Sequence, residues 1–207
     1  MIKVEGKGSP FYIGETLVTQ ELWEILMKNN PSNFKGNKHP VECVTWYDCQ
    51  DFIKKLNGLG ISGAGEFRLP TEAEWEYCCR AGTQTAYPWG NELNGDKANC
   101  NGNYPCGMSK KGKYLQKTTR VGSYSPNAWG FFDMNGNVNE WCSDWYGAYS
   151  QDTVVDPQGA TTGVYRVLRG GSWKYRASYC RSANRFFCIP TYRDDYCGCR
   201  LVMTDAK

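Results

Sequence analysis

Apolar residues recur at helical spacing in three stretches of this chain and at no regular spacing in its C-terminal part. Leu22, Ile25 and Leu26 share one face of a segment that Thr19 can cap and that Asn29-Asn30-Pro31 stops after about Lys28. Thr45 with Asp48 opens a second helix, whose apolar stripe is Cys49, Phe52, Ile53 and Leu56, before Gly58 and Gly60 end it. Thr71 and Glu74 form a T-x-x-E capping box after Pro70 and start a short third helix carrying Trp75. Beyond Cys79 the periodicity stops. From Ala81 to Val121 the chain is dominated by Gly, Asn, Lys and Pro, which predicts long irregular loops. Loops of that length are uncommon in a compact domain unless they are functional or pinned by ions or disulfides. Short strands are expected at Tyr12 to Gly14, Val164 to Leu168 and Cys199 to Met203. No repeat or low-complexity linker divides the chain, so residues 1–207 are expected to form one domain.

The stretch from Arg166 to Val202 follows neither a period of 3.6 nor a period of 2. Gly170-Gly171-Ser172-Trp173, Cys180-Arg181-Ser182 and Arg200-Leu201-Val202 read as fixed frame. Between them, in a region of about 173–199, stand Tyr175, Arg176, Tyr179, Phe186, Phe187, Cys188, Ile189, Tyr192, Asp194, Asp195, Tyr196 and Cys197. Burial alone does not choose such a series. Each of these residues can be reached from an AAC asparagine codon by changing its adenines only, whereas Glu, Gln, Met and Trp cannot. None of those four occurs after Trp173 until Met203, although Lys174 departs from the rule. Tyr and Phe offer large contact area at low entropic cost, and Arg and Asp add polar selectivity, so the series suits a ligand-contacting surface. Such a surface requires these side chains to converge on one solvent-facing patch while Trp173, Ala183 and Leu201 stay buried.

Composition narrows the partners. The formal charge is +3, and the densest basic run, Lys110-Lys111-Gly112-Lys113, reads as a solvated loop, so nucleic acid is not an expected partner. The partner expected is a protein or another surface ligand. The eleven cysteines are odd in number, irregular in spacing and contain no C-x-x-C pair, which argues against a structural zinc site and leaves open a disulfide among Cys43, Cys49, Cys78, Cys79, Cys100, Cys106 and Cys142. The single histidine, His39, cannot build a His-rich metal centre and reads as structural. No stretch approaches the roughly 18 apolar residues of a membrane helix. The chain is expected to act at the cell surface or otherwise exported, with any signal or lipid anchor lying outside this sequence.

RLPTEAEWEY at Arg68 to Tyr77, YPWG at Tyr87 to Gly90, NAWG at Asn127 to Gly130, DMNGNVNEW at Asp133 to Trp141 and RGGSW at Arg169 to Trp173 occur in order, and together they resemble the formylglycine-generating enzyme (sulfatase-modifying factor) family. The resemblance implies an α+β, C-type-lectin-like fold of the formylglycine-generating-enzyme type, loop-rich, with a small twisted sheet and two main helices. Oxidase members carry a G-G-S-x-x-C-x-x-x-x-C pattern whose two thiolates hold copper. Aligning Gly170-Gly171-Ser172 places Tyr175 at the first cysteine and Cys180 at the second, so no copper is expected: one thiolate cannot make the two-sulfur site that selects Cu(I). Cys180 is then a buried small hydrophobe or half of a disulfide. Iron-dependent relatives need histidines that this chain lacks.

The resemblance also implies calcium, held by Asp133, the carbonyls of Gly136 and Val138, and Glu140, hard oxygen donors of the kind Ca2+ prefers. The competing reading gives the turn its own Asx hydrogen bonds and gives Glu140 an arginine partner. A second family calcium site would begin near Asn99 and Cys100, but the matching position near Gly112-Lys113 has no carboxylate. Arg68, Arg169, Arg181, Arg185 and Arg200 are expected to anchor loops rather than bind substrate. The irregular C-terminal series further resembles the variable proteins of diversity-generating retroelements, of the Treponema type. That likeness implies a non-catalytic display protein; the alternative it competes with is a cysteine oxidase.

Overall fold

The computed structural model describes residues 1–5, 8–61, 65–150 and 152–204. In chain order it contains β1 (Ile2–Val4), β2 (Phe11–Ile13), α1 (Gln20–Met27), α2 (Trp46–Asn57), β3 (Phe67–Arg68), α3 (Glu72–Arg80), β4 (Asn139–Trp145), β5 (Arg166–Arg169), β6 (Phe186–Cys188), β7 (Cys197–Gly198) and β8 (Val202–Thr204), with a 3-10 turn at Ala177–Cys180.

The three helices start where their caps predict. Thr19 accepts from Leu22 N, and Thr45/Asp48 and Thr71/Glu74 form reciprocal capping boxes. Their apolar stripes bury Trp23 on α1, Cys49, Phe52, Ile53 and Leu56 on α2, and Trp75 on α3. Leu22 and Ile25, by contrast, are exposed, because α1 turns Trp23 inward to stack on Phe52 at 4.9 Å.

The strands form two four-stranded sheets. The first runs β1-β2-β8-β3 and pairs the N-terminal strands with the C-terminal strand; the second runs β6-β5-β4-β7 and is antiparallel except for β4 and β7. The sequence announced parts of β2, β5 and β8 but not β4, the longest strand, which is buried over most of its length and so lacks an alternating pattern. Three apolar clusters fill the interior. One lies around α1, α2 and Trp141, a second between α3 and the sheets around Trp75, Phe131 and Val167, and a small third under the long loop around Tyr87, Leu93, Cys100 and Cys180.

Neither helix nor strand forms between α3 and β4, as the composition predicts. Buried and half-buried asparagine amides pin this stretch. Asn127 Nδ2 donates to Cys78 O at 2.8 Å while its Oδ1 accepts from Trp129 and Phe131 N; Asn137 Oδ1 accepts from Asn99 Nδ2 and Thr119 N. His39 joins the same frame through Thr118 Oγ1 at 3.1 Å.

Buried arginines tie the elements together. Arg200, fully buried, meets both carboxylate oxygens of Glu140 at 2.9 and 3.0 Å and also donates to the carbonyls of Gly14, Glu15 and Phe132. Arg169, equally buried, reaches Glu72 and Glu76 on α3 and the carbonyls of Ser182 and Asn184.

Candidate functional site: an aromatic patch on a fixed frame

The irregular series is carried by β6, the 3-10 turn and the loop from 189 to 196. Both ends of this segment are anchored. Gly170 and Gly171 adopt φ of 95° and 72°, and a Cβ on Gly171 would meet Cys180 Sγ at 2.6 Å, so the turn needs glycine for conformation and for space. Trp173 lies buried against Phe34 and donates its indole N–H to Asp195 O at 3.0 Å. At the far end Cys43 N donates to Asp194 O and Asn139 N to Tyr196 O.

On this frame Tyr175 is the hub of a ring cluster. Phe186 stacks on it at 4.9 Å, and Tyr179 and Tyr196 meet it edge-on at 5.9 and 5.5 Å. The Tyr192 hydroxyl bonds the Tyr196 hydroxyl and Asp194 Oδ2. Burial alone would raise the Asp194 carboxyl, but the Tyr192 hydroxyl, the Asp195 amide and Lys174 outweigh it and hold Asp194 below the usual carboxylate range. Asp195 moves the other way, pushed up by burial and by the adjacent Asp194. Two cations rest on the rings: Lys174 Nζ lies 4.8 Å from the Tyr196 centroid, and Arg176 lies over Tyr179 at 5.2 Å. The patch is therefore aromatic at its centre with both signs of charge at its edges. None of its rings is fully buried, and Tyr179 is 40% exposed. The rings form one contiguous cluster that is half-buried except at Tyr179.

Three expectations need correction. Phe187 does not join the patch. Alternate residues of a strand point to opposite faces, so Phe186 turns toward Tyr175 while Phe187, 48% exposed, packs on Tyr146 and Tyr165. Cys197 is fully buried in the first apolar cluster, where β7, the edge strand beside β4, packs against the core; it cannot contact a ligand. Ala183 is exposed rather than buried, following the buried Ser182 around the turn, whereas Trp173 and Leu201 are buried as expected. Cys188 is half-buried against the first cluster and Ile189 is exposed. The sequence reading also missed neighbours supplied by the frame. Tyr104, reached by Arg176, comes from the long loop, and Arg166 sits between the rings of Trp46 and Trp145 at 4.0 and 3.4 Å. No spacing in the sequence connects these residues.

At the position matching the oxidase thiolates, Tyr175 presents a phenol and Cys180 is fully buried, with its thiol pushed well above the usual range by the Cys100 side chain and by burial. A protonated, enclosed thiol and a phenol do not supply the paired thiolates of a Cu(I) site.

Nor do the residues from Asp133 to Glu140 fit a calcium ion. Both Glu140 oxygens are held by Arg200, and Asp133 accepts from Gly122 N at 2.8 Å. Burial pushes the Asp133 carboxyl up to about 6 from its ordinary 3.8, with Glu140 adding to the rise and Gly122 N and Arg200 opposing it. The folded state thus binds this proton more tightly than the unfolded chain, and the stability it contributes is full below 3.8 and lost as pH rises through about 6. Asp133→Asn is expected to melt above the parent at pH 7.5, the gap closing near pH 4; asparagine tolerates the positive φ of this position. Melts of the parent with calcium and with chelator are expected to coincide. A rise with calcium would return the ion to Asp133.

Residues 4–205 match the family described as "Sulfatase-modifying factor enzyme 1-like domain". The formylglycine-generating enzyme of Streptomyces coelicolor is 43% identical over 149 residues, covering 69% of this chain and 44% of that protein. A serine/threonine-protein kinase pkn1 of Chlamydia pneumoniae is 42% identical over 156 residues, 72% of this chain and 21% of that protein. The chain therefore spans less than half the length of these relatives. Among solved structures, Treponema denticola variable protein 1 superposes with a TM-score of 0.81 at 30% identity, over 99% of this chain and 91% of that one.

Proposed function

On the premise that this chain belongs to the sulfatase-modifying factor enzyme 1-like family, we propose that it is a non-catalytic binding protein that presents a diversified patch to its ligands. The observation that carries the reading is the cluster of Tyr175, Tyr179, Phe186, Tyr192 and Tyr196, half-buried to exposed, mounted between two anchored frames. Its rings are rigid and amphipathic, and Asp194, Lys174 and Arg176 at the margin supply polar selectivity. The likeness to the Treponema denticola variable protein over nearly the whole chain supports the same reading. Diversification would come from a retroelement that rewrites adenines in the codons of these positions. Display at a cell surface through a lipid anchor outside this sequence completes the proposal.

The alternative, oxidation of a substrate cysteine, is favoured by the 43% identity to a formylglycine-generating enzyme. Against it stand Tyr175 and the enclosed Cys180.

The test is a phage library varied at Tyr175, Arg176, Tyr179, Phe186, Tyr192, Asp194, Asp195 and Tyr196 and selected on unrelated target proteins. Binders to different targets are expected to emerge from folded library members, with the smallest shifts in melting midpoint for changes at the exposed Arg176 and Tyr179. Libraries that mostly fail to fold would reject the display reading. Conversion of a sulfatase-type cysteine peptide to formylglycine with Cu(I) and oxygen, abolished by Cys180→Ser, would establish the enzyme instead.

A further inference from the structure

The eleven cysteines are all present as thiols, but four of them are not scattered. Cys100 and Cys180 share the small third cluster, 1% and 0% exposed. The chain following Cys100 runs beside the chain preceding Cys180: Asn101 N donates to Tyr175 O at 2.8 Å and Ala177 N to Tyr104 O at 3.2 Å. The Cys100 side chain is near enough to push the Cys180 thiol upward. Cys49, on the first turn of α2, and Cys199, just after β7, share the first cluster at 0% and 1% exposure, and Cys199 is near enough to add to the upward push that burial gives the Cys49 thiol. Cys199 is held in place by Val18 N, which donates to its carbonyl at 2.9 Å. In each pair one partner belongs to the frame and the other stands at a boundary of residues 181–198, the stretch that holds most of the varied positions.

We infer that Cys100–Cys180 and Cys49–Cys199 are disulfide sites that staple both boundaries of the varied segment to the frame when the chain folds in an oxidising environment. Both members of each pair already lie in one buried cluster. The oxidant is a small disulfide such as oxidised glutathione. One protein thiolate attacks it to give a mixed disulfide and one glutathione thiol; the second protein thiolate then displaces the remaining glutathione. The sulfur–sulfur bond of one glutathione disulfide is thereby exchanged for one in the protein, and the two hydrogens of the protein thiols end on two glutathiones. Burial and the paired thiol push Cys49 and Cys180 well above the ordinary thiol range, so exchange is slow in the finished fold and belongs to folding, and a bond once formed is protected from reduction. The bonds close loops of about 80 and about 150 residues, lengths at which a crosslink constrains the unfolded chain strongly. A frame locked in this way tolerates whatever side chains occupy the segment between.

The test is refolding of the whole chain in a buffer of oxidised and reduced glutathione, followed by iodoacetamide in denaturant and peptide mapping. Seven of the eleven cysteines are expected to be alkylated, and the linked peptides are expected to join Cys100 to Cys180 and Cys49 to Cys199. Reduction is expected to lower the melting midpoint by on the order of 10 °C. Cys100→Ser should leave the Cys49 linkage intact and Cys49→Ser the Cys100 linkage; if either variant does not fold, the map of the parent decides alone. Alkylation of all eleven overturns the inference. So does a linkage of only one pair, or of other pairs, such as Cys79, which contacts Ser182 Oγ at 3.4 Å, with Cys180.

Discussion

Replacing Glu140 by Leu is expected to cost about 3–5 kcal/mol of folding stability, because it strands a buried guanidinium. Arg200 and Glu140 are both 0% exposed, and the fork of one meets both oxygens of the other. Arg200→Met should cost a similar amount by stranding the carboxylate and, in addition, the carbonyls of Gly14, Glu15 and Phe132. The pair joins β4 of the second sheet to the chain entering β8 of the first, so its loss loosens the contact between sheets. Out of a typical total of 5–15 kcal/mol, either change leaves a marginal protein. The double variant, with no charge left uncompensated, should be clearly more stable than the sum of the single losses predicts. Urea unfolding of the four proteins measures this, and strict additivity would show that Glu140 is stabilised by something other than Arg200.

The parts of the fold legible in the sequence are those written locally. Thr19, Thr45 with Asp48 and Thr71 with Glu74 each satisfy orphan helix amides within three residues, so the start of every helix could be read from a few letters. β4 could not, because Asn139, Glu140, Trp141 and Cys142 are all buried, and Glu140 reads as a surface residue until Arg200, 60 positions later, is beside it. The candidate site divides in the same way. The failure of any period to explain the aromatics singled out Tyr175, Tyr179, Phe186, Tyr192 and Tyr196, whose rings the fold brings together. Its geometry did not follow. The three residues of β6 send Phe187 to the far face, and the parallel pairing of β7 with β4 draws Cys197 into the core; both depend on sheet partners that no local pattern specifies. The partner of Glu140 was hidden for that reason too: a carboxylate's partner is a matter of tertiary structure.

Arg169→Met is expected to lower stability by about 3–5 kcal/mol and, more tellingly, to release the varied segment from its frame. The side chain is 0% exposed, lies over the Trp75 ring and reaches Glu72 and Glu76 on α3. From there it donates to Ser182 O at 2.7 Å and Asn184 O at 2.8 Å, the residues that lead the chain from the 3-10 turn into β6. Methionine fills much of the volume but supplies no donor, leaving two carbonyls and the Glu76 carboxylate without this partner; Glu72 keeps Arg185. The turn is then expected to open locally at a free energy below that of global unfolding. Limited trypsin digestion should therefore cut after Arg181 and Arg185 faster in the variant than in the parent, under conditions where most molecules remain folded. Tyr179→Ser, which changes an exposed member of the patch, should leave both the urea midpoint and the cleavage rate near the parent's. If Tyr179→Ser instead destabilises as much as Arg169→Met, the distinction between a rigid frame and a replaceable surface, on which a display function depends, is lost.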